Sequence, residues 1–306
     1  LPLAMGLALL LDSMTNTVRS KEEAEKIIGA ETLGLIPLTQ SRNVGYVVSS
    51  EEPYSAAAEA FRTLRINLES STHADKRRFL ITSPGAGEGK TTTIANLGVA
   101  FAEAGRSALL VSADLRRPRL HHCFDAEASP GFSDVLKDEA HAADLTSEVR
   151  PNLYLLSSGD PESRPDQLLN NKDLRLTFDN LSIKRSQATR PRNQENGTSN
   201  GRKRVSRVVG VQPQTMLIDA PPVLGAAEVS TLSAAVDGVI MVVQVGITGR
   251  EAAARAAEQI RRSGGTIVGI VLVGVKSDSD YSFYGPEVDG KSSDSTWSKV
   301  VSSLQK

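Results

Sequence analysis

Ser83-Pro84-Gly85-Ala86-Gly87-Glu88-Gly89-Lys90-Thr91-Thr92 lies between an apolar stretch, Arg78 to Ser83, and a helical pattern that runs to about Gly105. The apolar stretch reads as a strand, so the order is strand, glycine-rich loop, helix. Glycines let backbone amides approach a phosphate, and the helix N-terminus adds its partial positive charge. Gly85, Ala86, Gly87, Glu88, Gly89, Lys90, Thr91 and Thr92 are therefore the nucleotide-binding candidates. In such a loop Lys90 reaches the β- and γ-phosphates and the Thr91 hydroxyl holds Mg²⁺. The expected first glycine, five positions before Gly89, is Pro84. The Gly-Glu-Gly-Lys-Thr-Thr core in its strand-loop-helix setting still reads as a P-loop that binds ATP with Mg²⁺.

Working outward, apolar runs at Ser107 to Ser112, Leu153 to Ser157, Thr215 to Asp219, Gly238 to Val245 and Thr266 to Val275 alternate with helical patterns. That alternation implies an α/β fold: a doubly wound, mostly parallel sheet covered on both faces. Two of the runs end in an acid. Met216-Leu217-Ile218-Asp219-Ala220-Pro221-Pro222 has the form of a Walker B strand, with Asp219 near the metal through its water shell. The bland alternative is an acid that, with two prolines, stops the strand. In Leu109-Leu110-Val111-Ser112-Ala113-Asp114-Leu115-Arg116-Arg117-Pro118 the acid is Asp114, again at a strand end where such sheets place ligand chemistry. Asp114 either orients a magnesium-bound water and moves a proton, or caps a helix or pairs with a neighbouring arginine. Lys90, Asp114 and Asp219 are the catalytic candidates, and Thr91, Asp114 and Asp219 the metal candidates.

Lysine plus arginine number 35 against 36 acids in 306 residues, which gives no reason to expect a nucleic-acid binder. The single cysteine, Cys123, excludes an internal disulfide framework and fits a reducing compartment; with no cysteine motif around it, an inert thiol is expected. Leu1 to Leu11 is apolar but makes only ~16 Å of helix, too short to span a bilayer by itself. It is the end of a membrane helix that starts upstream, or an apolar arm packed on the domain. Val18 to Ala30 is polar and helix-prone, Leu33 to Pro37 extended, and Thr39 to Glu52 a linker. Tyr54 to Leu68 is expected to be helical, with Ala58, Phe61, Leu64, Ile66 and Leu68 on the apolar face and Glu59, Arg62 and Arg65 on another. Between Ile183 and Val208, eight lysines and arginines against one acid surround an Asn-Gly-Thr-Ser-Asn-Gly core, which reads as a mobile basic insertion. It is a solvated loop or a contact for anionic lipid or polysaccharide. The tail after Asp278 is rich in serine and aspartate, carries Tyr281 and Tyr284, and reads as flexible.

These motifs, in this order, resemble the bacterial tyrosine kinases of capsule and exopolysaccharide synthesis, members of the deviant Walker (SIMIBI-type) P-loop NTPases. Glu59-Ala-Phe-Arg62-Thr-Leu-Arg65 is similar to that family's oligomerisation helix, and Leu33 to Pro37 looks like the segment after its second membrane helix. The resemblance implies residues 1–17 as the end of a transmembrane helix, 18–53 as a juxtamembrane linker, 54–276 as the kinase domain and 277–306 as a phosphorylated tail. It further implies a ring-like homo-oligomer at the cytoplasmic face of the bacterial inner membrane, working with polysaccharide assembly machinery, with Tyr281 and Tyr284 as phosphoacceptors. The signature lysine of the related partition and division-site ATPases is replaced by Gly85. Within the kinase pattern, Ser112 stands for the first aspartate, Glu228 for another aspartate, and Val273 for an asparagine near the adenine. Loss of the first carboxylate implies reduced transfer activity. Two readings of other classes stay open: a non-catalytic ATP-binding regulator, and a membrane-associated ATPase.

Overall fold

A computed structural model describes residues 16–38, 47–48, 52–72, 77–181, 183–186, 208–211 and 213–276. Residues 1–15 of the expected end of a membrane helix (1–17), the centre of the basic insertion, and Tyr281 and Tyr284 lie outside the described residues. Among the described residues no helix is long and apolar enough to cross a membrane.

The first helix, α1 (Lys21–Ile28), is short because its ends are both sealed: the Ser20 hydroxyl accepts the Glu23 N–H, and Gly29 closes it in the left-handed conformation. Strand β1 (Thr32–Pro37) follows. Helix α2 (Ala56–Ser71), capped by Ser55, buries Ala58, Phe61, Leu64 and Leu68 as the sequence predicts. Ile66 departs from that expectation and is 50% exposed. At 100° per residue it lies about 200° around the helix from both Leu64 and Leu68, so it shares neither one's face.

Strand β2 (Arg78–Thr82) leads through the glycine loop into α3 (Lys90–Glu103), and β3 (Ala108–Ser112) follows. Short helices α4 (Phe132–Leu136) and α5 (Ala142–Leu145) precede an edge hairpin, β4 (Ser147–Arg150) and β5 (Leu153–Leu156). After α6 (Pro165–Asn170) and α7 (Leu174–Asn180), β6 (Ile183–Ser186) pairs antiparallel with β7 (Val208–Val211). The region read as one mobile insertion from Ile183 to Val208 is thus closed at its base by a two-stranded ladder. The chain continues through β8 (Thr215–Asp219), α8 (Glu228–Ala234), β9 (Gly238–Gln244), α9 (Arg250–Arg262) and β10 (Ile267–Val275).

Eight strands form one sheet in the order β1-β10-β9-β2-β8-β3-β5-β4, parallel throughout except for β4. Strands β2, β3, β5 and β8 are buried along nearly their whole length, as expected of strands covered on both faces. From β2 the chain winds outward to β3 and β5, returns to β8, and then crosses to β9 on the other side. The C-terminal ends of β2 and β8 therefore face a crevice where connections diverge, the position at which open α/β sheets bind ligands. Helix α3 seats closely on the sheet: a Cβ on Gly98 would lie 2.7 Å from Leu110 Cδ2. Only a residue without a side chain allows that approach.

Candidate active site

The loop between β2 and α3 is held at its β2 end by the segment after β8. Ala220 donates to the Ile81 carbonyl at 3.1 Å, Val223 to the Ser83 carbonyl at 2.9 Å, and the Thr82 hydroxyl to the Pro221 carbonyl at 2.7 Å. Ala220, Pro221 and Val223 thus tie the end of β8 to β2 and to the first residue of the loop. Gly87 (φ 79°) and Gly89 (φ 87°) are left-handed, a conformation that any Cβ would strain. Gly89 caps α3 with no side-chain partner, leaving the helix N-terminal amides and their dipole toward the loop. Ala86 and Gly87 are exposed, and Thr91 and Thr92 half-buried, at the mouth. Glu88 behaves differently from its neighbours: its carboxylate is buried and takes the Gly85 N–H at 2.8 Å and the Thr248 hydroxyl at 2.8 Å.

Beneath the loop, parallel register sets Asp219 beside both Ile81 of β2 and Ser112 of β3. Asp219 is 2% exposed. Its Oδ2 accepts the Thr91 hydroxyl at a long 3.4 Å, and its Oδ1 has no hydrogen-bond partner among the described residues. Burial pushes its carboxyl up to about 7; the Asp114 charge adds to that rise, while Lys90 and the Thr91 hydroxyl oppose it. Lys90, itself buried, is near enough to Asp219 to be felt as a charge. Lys90, Thr91, Asp114 and Asp219 are therefore gathered in one place, as the sequence predicts.

Asp114 is half-buried, and its Oδ1 accepts the backbone N–H groups of Arg116 (3.3 Å) and Arg117 (3.0 Å). It shapes the turn after β3 without pairing to either arginine side chain. Arg116 reaches instead across to Glu228, with Nε at 2.5 Å and Nη2 at 3.1 Å, a bidentate pair in which Glu228 is only 1% exposed. Ser112 is fully buried and its hydroxyl has no partner among the described residues. Val273 packs against Gly89, where a Cβ would stand 3.4 Å from Cγ2. Cys123, in the 3₁₀ turn Leu120–Phe124 beside α3, is pushed up to about 12 by burial and then by the Asp219 charge, a setting that disfavours the thiolate.

Away from the crevice, the polar stripe of α2 is paired within the chain. Arg62 lies 3.1 Å from Glu59 and 3.7 Å from Glu103 and donates to the Pro53 carbonyl, and Arg65 pairs with Glu69. Sequence reasoning missed Thr248 and the Arg116–Glu228 link. Thr248 lies 160 residues from Glu88, and Glu228 112 residues from Arg116, so no local spacing announces either contact.

The donor set suits magnesium. A buried carboxylate with one unpartnered oxygen stands beside a threonine hydroxyl, and hard oxygen donors are what that ion takes. Among the described residues no three His, Cys, Asp or Glu side chains cluster as a metal cage. The residues fit an ion shared with a nucleotide, since Mg²⁺ is commonly held by one or two carboxylates and substrate phosphates.

No family model matches the chain. Among curated proteins, tyrosine-protein kinase YwqD of Bacillus subtilis is 30% identical over 249 residues, which cover 80% of this chain and 93% of that protein. Tyrosine-protein kinase CpsD of Streptococcus agalactiae is 28% identical over 233 residues, 74% of this chain and 89% of CpsD. Among solved structures, the kinase domain of the Escherichia coli tyrosine kinase ETK superposes with a TM-score of 0.69 at 19% identity, covering 88% of this chain and all of that one. The BceF tyrosine kinase domain gives 0.68 at 23% identity, covering 85% of this chain and 99% of that one. These two share the P-loop α/β fold described above.

Proposed function

The chain belongs to the bacterial tyrosine-protein kinase family, and from that membership we propose that it transfers the γ-phosphoryl group of ATP to tyrosine, its own Tyr281 and Tyr284 first. The observation that carries this reading is the buried Asp219 at the end of β8, one oxygen unpartnered, facing Thr91 and Lys90 at the start of α3.

Each residue has a part. The amides of the glycine loop and the N-terminus of α3 bind the nucleotide phosphates. Lys90 reaches the β- and γ-phosphates. Thr91 and Asp219 would hold Mg²⁺, with Asp114 on its water shell; the bound ion would supply charge neutralisation across the β- and γ-oxygens. Asp114, half-exposed and oriented by two backbone amides, is the carboxylate that takes the acceptor proton. Phosphoryl transfer relies mainly on positioning and charge neutralisation, so a serine at 112 lowers the rate without abolishing it. A lost general base costs on the order of 100- to 10,000-fold; with Asp114 taking the proton, the deficit left by Ser112 falls at the low end of that range.

The protein works at the cytoplasmic face of the bacterial inner membrane, assembled into a ring through Glu59, Arg62 and Arg65, and regulates exopolysaccharide or capsule assembly. Ring formation would exchange the pairs that Arg62 and Arg65 make within the chain for pairs between subunits.

The serine at 112, where the family pattern has a carboxylate, favours a second reading, an ATP-binding regulator without transfer activity. Measuring phosphotyrosine and free phosphate together, per ATP consumed by purified protein, separates the possibilities. Phosphotyrosine formation supports the kinase; free phosphate alone means an ATPase; neither product, with ATP bound, means the regulator.

A further inference from the structure

An acid inside an anion-binding loop is a liability, because its charge would oppose the phosphates. Glu88 avoids that position. Its carboxylate is 5% exposed and accepts two hydrogen bonds: Oε2 from the Gly85 N–H at 2.8 Å and Oε1 from the Thr248 hydroxyl at 2.8 Å. Thr248 is fully buried, and its hydroxyl oxygen also accepts the Gln244 N–H at 2.9 Å. Its own backbone is anchored in turn. Val18 N–H donates to the Thr248 carbonyl at 2.8 Å, Gly246 N–H to the Val18 carbonyl at 2.8 Å, and Arg250 N–H to the Asn16 carbonyl at 2.9 Å. The loop after β9 is therefore pinned from below, and it pins the glycine loop from the side.

We propose that Thr248 and Glu88 are positioning residues: together they clamp the start of the phosphate-binding loop in its ligand-ready shape, and Glu88 itself does not contact the nucleotide. The clamp rests on the nucleotide-binding reading of the site. It removes the Gly85 amide from the phosphate-facing set and leaves that task to the amides beyond it. A charge-assisted hydrogen bond between buried groups is strong enough to hold such a loop.

Thr248→Val keeps the side chain's shape and removes the hydroxyl; Thr248→Ser keeps the hydroxyl. Two measurements on the full chain, amide hydrogen exchange without ligand and Mg-ATP titration by calorimetry, read the consequences. In Thr248→Val, exchange at Gly85 rises and Mg-ATP binds about 10- to 100-fold more weakly, while Thr248→Ser stays within about threefold of the parent on both. Glu88→Gln also weakens Mg-ATP, although it removes a negative charge beside the phosphates. The clamp is overturned if Thr248→Val leaves Gly85 exchange unchanged, if the serine variant is as impaired as the valine, or if Glu88→Gln tightens binding. Should the parent fail to bind Mg-ATP while Thr248→Val still frees Gly85, the nucleotide reading falls and the clamp remains as a structural fact.

Discussion

Removing the arginine of the Arg116–Glu228 pair should cost far more than neutralising its acid. Glu228 is 1% exposed whereas the Arg116 side chain is 43% exposed, and the two meet through contacts of 2.5 and 3.1 Å. Arg116→Met strips a buried carboxylate of its bidentate donor, a class of change that costs about 3–5 kcal/mol. Glu228→Gln leaves the guanidinium an acceptor and a route to water, so its cost should be about 1 kcal/mol. Urea unfolding of both variants, followed by circular dichroism at neutral pH, gives the two numbers directly. Because Arg116 lies two residues beyond Asp114 and its backbone N–H is bound there, Arg116→Met should also lower phosphotyrosine formation in the fraction that remains folded. Equal costs for the two variants, or a loss under about 1 kcal/mol for Arg116→Met, would mean that Glu228 does not depend on Arg116, since a buried unpaired charge cannot be that cheap.

Two further outcomes follow from the crevice. Ser112→Asp places a second carboxylate next to Asp219, whose carboxyl burial already pushes up to about 7. Without Mg²⁺ the variant should be less stable than the parent by about 2–4 kcal/mol, with Mg-ATP recovering part of that loss, and transfer should rise by about 100-fold; thermal melts with and without Mg-ATP, alongside a phosphotyrosine assay, check it, and a faster kinase with no apo penalty would contradict it. Cys123, pushed up to about 12, should react with iodoacetamide at neutral pH at least about 100-fold more slowly in the folded protein than in urea; comparable rates followed by mass spectrometry would contradict that burial.

How much of this was legible beforehand depends on whether the signal is local. Thr215–Asp219 is bounded in the structure where the sequence bounds it, because an apolar run between polar residues and prolines is a complete description of a buried strand. The glycine loop is equally local, and it assigns Lys90 and Thr91 their places. Ile66 fails because its hydrophobicity competes with its angular position, and angle decides burial on a helix. Strand β4 (Ser-Glu-Val-Arg) lacks an apolar run, since an edge strand has a face in water and needs none. The Thr248 clamp and the Glu228 pair are tertiary, and only the folded sheet brings them together. For Asp114 the sequence leaves two readings, metal-water orientation or proton transfer against a helix cap or an arginine pair; among the described residues the structure shows neither a helix cap nor an arginine side-chain pair but a turn held by its carboxylate, near enough to influence Asp219.

Tyrosine phosphorylation by this P-loop can be read directly. Purified protein incubated with Mg-ATP, beside a Lys90→Ala variant, should be digested and mapped by mass spectrometry. Phosphate is expected on Tyr281 and Tyr284 in the parent and none in the variant. Parent protein that binds Mg-ATP yet carries no phosphotyrosine, or modification that persists in Lys90→Ala, would contradict it.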